Sequence, residues 1–240
     1  MKITKDQLKG WAVCRDGYEW FLSRFPDGEA EYQDVLNALA KDDRPTDAHW
    51  LMDHAGPDRE AVLEVKVITD CKHFFAAGRL VIKTSATVAG WLRAGGSIKA
   101  GGRIKAGWGI KAGEGIKASG SIKAGWGIEA DGSIKAGWGI EADWGIKASG
   151  SIEADGSIKA GEGIKAGEDI KAGEGLGIFA GLRLRLADWS IYARVIAKTK
   201  PHNLVSGSWV ESAAEALAKA KTETANATHF PTGDNHALLI

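Results

Sequence analysis

The chain has 240 residues with 31 Lys+Arg against 31 Asp+Glu, 44% hydrophobic content, 32 glycines and two cysteines. The zero balance removes any whole-chain electrostatic argument for nucleic acid or an anionic membrane, and Cys14 and Cys71, far apart and outside Cys/His ligand spacing, suggest neither a disulfide framework nor a zinc site. The start Met1-Lys2-Ile3-Thr4-Lys5-Asp6 turns polar at once and no apolar run of about 18 residues occurs, so the expectation is a soluble cytoplasmic protein with two reduced, buried thiols and no cofactor.

Residues 1–60 read as a helical head. Asp6 or Thr4 can cap a helix through Leu8, Trp11 and Val13 that continues over Tyr18 to Phe25, until Pro26-Asp27-Gly28 breaks it. Tyr32, Val35, Leu36 and Leu39 recur at helical spacing. Pro45-Thr46 opens a third helix through Trp50 and Leu51 that ends at Gly56-Pro57. From Val62 to Ile68 the pattern turns β-branched and strand-like.

From Ile98 to Ala172 an isoleucine recurs at every sixth residue, thirteen times, and an alanine follows each two positions later. Residues two apart share a face of a strand, so each unit is a short strand with one apolar face, and such units bury that face only by stacking into a parallel solenoid. Counting back in sixes reaches Leu92, Ala86, Leu80 and Phe74, and counting forward reaches Leu176 with Ile178 and Leu182 with Leu184. The repeat core is therefore set at 74–186, within a solenoid domain over 61–200. After Asp188 a strand alternating Ile191, Ala193, Val195 and Ala197 is expected off that grid. A C-terminal region, 201–240, follows with a capping helix from Glu211 to Lys221 and a tail.

The residue between Ile and Ala fixes the coil length. It is Lys ten times and Glu at 129, 141 and 153. A twelve-residue coil would stack the three glutamates on one another and the lysines in an unbroken ladder, both repulsive at about 4.8 Å. An eighteen-residue coil gives Lys111/Glu129/Lys147, Lys123/Glu141/Lys159 and Lys135/Glu153/Lys171, with each glutamate between two lysines. The fold class expected is mainly β, a three-sided parallel β-helix of about 18 residues per coil with a small N-terminal helical domain. The corners, usually Gly-x-Gly or Gly-x-Ser, are expected to use glycine for positive φ or close backbone approach.

The Ile-centred six-residue unit resembles the hexapeptide left-handed β-helix of acyltransferases and γ-class carbonic anhydrases. That family sets its small residue two positions before the aliphatic one, whereas here alanine lies two after, and the family's acyltransferases use a histidine, absent here between His73 and His202. The stretches Trp20-Phe21-Leu22-Ser23-Arg24-Phe25-Pro26 and Tyr32-Gln33-Asp34-Val35-Leu36, with Gly-Trp-Gly-Ile-Glu-Ala units, resemble a group of bacterial and prophage-borne repeat proteins.

The repeated Ile and Ala are core, so specificity must lie in what varies. Trp108, Trp126 and Trp144 fall eighteen residues apart and form one corner ladder, with Trp138 on another edge. Stacked indoles can grip a partner or merely shield the corner. The binding set is taken as these four tryptophans with Glu129, Glu141 and Glu153; no catalytic or metal-ligating residue is assigned. His49 and His54 are read as capping or solvated. The expected function is non-enzymatic: a scaffold that binds a protein partner, in its narrowest form a phage- or mobile-element-encoded inhibitor of a host factor, such as an anti-CRISPR or other anti-defence protein, with a homodimer through a solenoid face or the helical ends as a second association. A hexapeptide-type acyltransferase is the first alternative. A nucleic-acid mimic is the second; its need for an acidic face conflicts with the lysine-rich strand centres, and nucleic acid is not expected as a partner.

Overall fold

The computed structural model describes residues 1–212. Its rod is a parallel β-solenoid of about eight coils whose strands form three sheets of seven, eight and eight strands. Ile104 pairs with Ile122, Ile110 with Ile128 and Ile116 with Ile134, so the coil is eighteen residues. The first sheet begins at Val62–Val65, the second at Ile68–Cys71 and the third at Phe74–Ala76. Every repeat isoleucine from 98 to 170 and every repeat alanine from 100 to 166 is buried in one continuous core. Full burial of one such isoleucine stabilises by about 1.5–3 kcal/mol, and the core exists only because neighbouring coils supply it.

The expected charge columns are present. Lys111 and Lys147 flank Glu129 in register on the third sheet, Lys123 and Lys159 flank Glu141 on the second, and Lys135 and Lys171 flank Glu153 on the first. Ion pairs form at 2.8 Å for Lys147–Glu129, 2.8 Å for Lys123–Glu141 and 3.0 Å for Lys135–Glu153.

The corners correct one expectation. Among the described residues the glycines with positive φ are Gly28, Gly56, Gly175, Gly181 and Gly207, none of them within the regular repeats. Corner glycine answers to close approach instead: a Cβ on Gly125 would run into the carbonyl of Gly107 in the coil below.

The repeat leaves its grid earlier than counting suggests. Ile178, not Leu176, pairs with Ile158, because Glu174-Gly175 adds residues to the corner and Gly175 turns with φ of 70°. Leu176 and Leu182 are exposed and neither belongs to a strand. The segment expected to begin a strand at Ile191 is a short helix, Leu186–Tyr192, here α5, that carries no buried residue. The strand starts at Arg194, where Val195 pairs with Ile164 and rejoins the third sheet. Leu204–Ser206 and Ser208–Glu211 then add one more strand each to the second and third sheets. Glu211 therefore ends a strand; the rest of the expected capping helix and the tail lie outside the described residues.

The head contains four helices rather than three. Thr4 caps α1 (Lys5–Gly10) in a capping box with Gln7. Ala12, at φ of 56°, breaks the chain before α2 (Arg15–Arg24), whose start is capped by the Cys14 sulfur accepting from the Gly17 N–H. Cys14 is exposed and Cys71 half-buried, both free, so the expected burial of the thiols does not hold. Lys2–Thr4 and Glu29–Glu31 pair as a small antiparallel ribbon that the sequence reading missed, and α3 (Tyr32–Lys41) and α4 (Pro45–Ala55) complete the head. Phe21, Tyr32, Val35, Leu36 and Leu51 form its core, which also includes Phe75 and Ala77 of the solenoid. Gln33 fixes the docking: its side chain donates to the Phe75 carbonyl at 2.8 Å and accepts from the Ala77 N–H at 2.9 Å. The head thus covers the outer face of the third sheet at its first coil.

Candidate functional site

On the third sheet the outward column reads Phe75, Arg93, Lys111, Glu129, Lys147, Lys165. Beside it, at the corner preceding each strand, Trp108 stacks on Trp126 with centroids 5.2 Å apart and planes 5° apart, and Trp126 stacks on Trp144 at 5.5 Å and 9°. The spacing follows from the coil rise of about 4.8 Å, because Trp126 bonds to Trp108 and Trp144 to Trp126 through consecutive backbone hydrogen bonds.

Between the indoles and the charged column runs a strip of glycines, Gly109, Gly127, Gly145 and Gly163. The equivalent corners of the other sheets hold Ser97, Ser133 and Ser151 with Gly115, or Ser85, Ser121 and Ser157 with Gly139, so the regular coil tolerates a side chain there, whereas a Cβ on Gly109 would meet the Trp91 ring and one on Gly163 the carbonyls of Tyr192 and Arg194. A Cβ on Gly127 or Gly145 would approach only a carbonyl, at 3.2 and 3.3 Å. Their effect is to leave the floor bare. The carbonyls of Gly127, Gly145 and Gly163 accept from the N–H groups of Ile110, Ile128 and Ile146, so that floor has its main-chain bonds made.

The result is a groove of about 740 Å³ along the third sheet. His49 and Asp53 of α4 with Trp91 and Arg93 close it at one end; Ile191 and Tyr192 of α5 with Arg194 close it at the other. Its volume lies in the range of ordinary ligand sites.

The head-side wall is held by Arg93, only 7% exposed. Its guanidinium donates to His49 Nδ1 at 2.8 Å, to the His49 carbonyl at 3.2 Å and to the Asp53 carboxylate. The His49 ring packs edge-on against Trp91 at 4.6 Å. Burial, then the neighbouring guanidinium, pushes the His49 pKa down to about 4, so the ring is neutral at pH 7 and its Nδ1 can accept. This replaces the solvated or capping role expected for His49. Nε2 of His49 and the hydroxyl of Tyr32 are buried without a hydrogen-bond partner among the described residues.

Of the seven residues singled out in the sequence, the structure brings Trp126, Trp144 and Glu129 into this groove, with Trp108 half-buried behind them in the stack. Trp138 stands 62% exposed on the corner leading to the second sheet, beside Ser121. Glu141 and Glu153 lie on the other two faces. Glu129 is engaged by Lys147 at 2.8 Å and Lys111 at 3.6 Å, and the Lys147 hydrogen bond holds its carboxyl below the usual range. Glu162 also lines the groove, and Lys165, Tyr192 and Arg194 there went unnoticed. The signal for the groove was present in the all-glycine corner column; nothing local announced α5.

Residues 1–55 match a family model described as the YdhT N-terminal domain. That match spans the head and stops before the solenoid. No curated protein and no solved structure matches the chain. Among the described residues no helix is long and apolar enough to cross a membrane, and no cluster of His, Cys, Asp and Glu is arranged to hold a metal ion.

Proposed function

We propose that this chain is a non-enzymatic binding protein whose rigid solenoid presents the groove beside the tryptophan ladder to a partner protein. The observation that carries this is the pairing of exposed indoles with Gly127 and Gly145, two corner glycines that the backbone does not require, in a groove bordered by α4 and α5. Aromatic walls beside a bare floor suit an extended segment, and tryptophans are recurrent anchors of protein interfaces. The narrower form, supported by the resemblance of the hexapeptide-type rod and the Trp20–Leu36 stretch to prophage-borne proteins, is a cytoplasmic inhibitor of a host factor carried by a mobile element.

The test is affinity capture from the source organism with the wild type and with a groove-filled variant, Gly127→Gln/Gly145→Gln, whose side chains start where serine sits in the other sheets. A partner retained by the wild type and lost by the variant, with melting unchanged, supports the groove. Equal capture by both refutes it. The inhibitor form requires in addition that the captured protein lose activity when the chain is added.

A further inference from the structure

The indole ladder has two unlike ends. Trp108 lies against the ring of His73 at 5.2 Å. Trp144, 54% exposed, has Trp126 on one face, and the next residue in its column is Glu162, whose N–H donates to the Trp144 carbonyl at 3.1 Å. Glu129, Glu141 and Glu153 each have a lysine, but the half-buried Glu162 carboxylate has no hydrogen bond or ion pair among the described residues. Gly145 and Gly163 put no side chain of their own beside it, and the carbonyls of Tyr192 and Arg194 lie over Gly163 on the far side. Lys165 and Arg194 line the same end, exposed and without an acidic partner among the described residues.

We propose that this end of the groove receives an extended acidic segment of a partner protein through one tryptophan of that segment. The partner's indole stacks on the free face of Trp144 and extends the ladder by one rung, its ring N–H donates to Glu162, and flanking carboxylates meet Lys165, Arg194 and Lys147. The ring geometry continues the one already present, and the head uses the same pairing internally, where Trp20 Nε1 donates to Asp42 at 2.8 Å with Arg24 on the other carboxylate oxygen. The charge also fits, because Lys111, Lys147, Lys165 and Arg194 outnumber Glu129 and Glu162 in the groove. From the Trp144 coil to Arg194 is two coil steps, about 10 Å, the length of roughly three extended residues, so the carboxylates fall within two positions of the tryptophan.

This inference rests on the groove being the binding surface. The test is calorimetric titration of the full chain with a capped Asp-Asp-Trp-Asp-Asp peptide, its Phe-for-Trp and Lys-for-Asp versions, and a single-stranded oligothymidine. Saturable binding of the acidic Trp peptide is expected, weakened about tenfold by Trp144→Ala through loss of one stacked ring and its contact area. Lys165→Glu/Arg194→Glu, on exposed positions that leave the core intact, should weaken it by a similar factor and flatten its salt dependence. The Phe version should bind less tightly than the Trp peptide to the wild type, and that gap should shrink in Glu162→Ala, which removes the acceptor, the coupling that identifies the N–H contact. Equal binding of the Lys-for-Asp peptide, or an affinity unmoved by the charge reversal, overturns the proposal. Preferential binding of the oligothymidine reassigns the groove to nucleic acid, and a concentration-dependent dimer dispersed by Trp144→Ala reassigns it to a second copy. If the peptide does not bind while Gly127→Gln/Gly145→Gln still loses the captured partner, the ligand chemistry is wrong and the groove reading stands; if the partner is retained, both fall.

Discussion

Lys117→Glu should stabilise the protein, although it replaces a residue that belongs to the repeat. Lys117 lies in register between Lys99 and Lys135 on the first sheet, an uninterrupted run of three cations. Two unit charges about 6 Å apart in water interact by about 0.7 kcal/mol, and a Debye length of about 8 Å at physiological salt roughly halves that. The substitution reverses the sign of two such contacts, which gives about 1 kcal/mol in favour of the folded state, reduced somewhat because Lys135 already pairs with Glu153 at 3.0 Å. The measure is the urea midpoint followed by far-UV circular dichroism, at 0.05 M and about 1 M NaCl, where the Debye length falls to about 3 Å and most of the gain should vanish. Glu129→Lys must move the midpoint the other way and further, since Glu129 holds two lysines and is only 36% exposed. A twelve-residue coil would put Lys117 between Lys105 and Glu129, and the substitution would then be neutral. A lowered midpoint for Lys117→Glu, or a shift that survives high salt, would refute the electrostatic reading of the columns.

His49 is held neutral with its pKa near 4, below the ordinary 6.5, so the unfolded chain binds more protons between those values. Stability should therefore fall as pH drops from about 6.5 towards 4 and level off below, and His49→Gln should flatten that slope; an NMR titration midpoint for His49 near 6.5 would contradict it. Arg93→Ala removes a nearly buried cation bound to His49 and Asp53 and should cost about 2 kcal/mol of head docking, at the lower end for a charged network because Asp53 is half exposed. Faster amide exchange over 1–55 without change in the repeats is the expected pattern. Trp126 is the middle rung of the ladder, so Trp126→Ala should abolish most of the far-UV exciton signal while Trp138→Ala leaves it intact. Retention of that signal in Trp126→Ala would mean the indoles do not stack in solution.

The rod was legible because its determinants are strictly periodic: one isoleucine, one alanine and one outward charge per unit suffice to fix strand, core and coil length. The places where reading failed are aperiodic. Counting in sixes carries no information about the two residues that Glu174-Gly175 inserts, so Leu182 and Leu184 were placed inward although Leu182 is exposed. The alternation of Ile191, Ala193, Val195 and Ala197 is compatible with a strand along its whole length, and only the pairing of Val195 with Ile164 decides where it starts. The site was half legible. The tryptophan ladder follows from the coil length, whereas the burial of Arg93 depends on where the head docks, which Gln33 and Phe75 determine at long range. Arg93 did break the Lys/Glu rule of its column, and Trp91 replaced the glycine of its own.

The chain has a natural quantum of length. His49 and Asp53 on one side and Ile191 and Tyr192 on the other close the same groove because whole turns of eighteen residues separate the solenoid strands beside them, from Leu92 to Ile164. Removing or inserting eighteen residues would shorten or lengthen the groove and keep both walls facing each other. A change of six or twelve, though equally invisible to the isoleucine repeat, would rotate everything beyond it by a third or two thirds of a turn, and α5 would close a different face from α4. The glutamates at 129, 141 and 153, twelve apart, wind around the prism in just this way while the tryptophans, eighteen apart, run straight. Lineages that lengthen or trim the rod by slippage of its six-residue unit could preserve the fold at every step and yet preserve this groove at only one step in three.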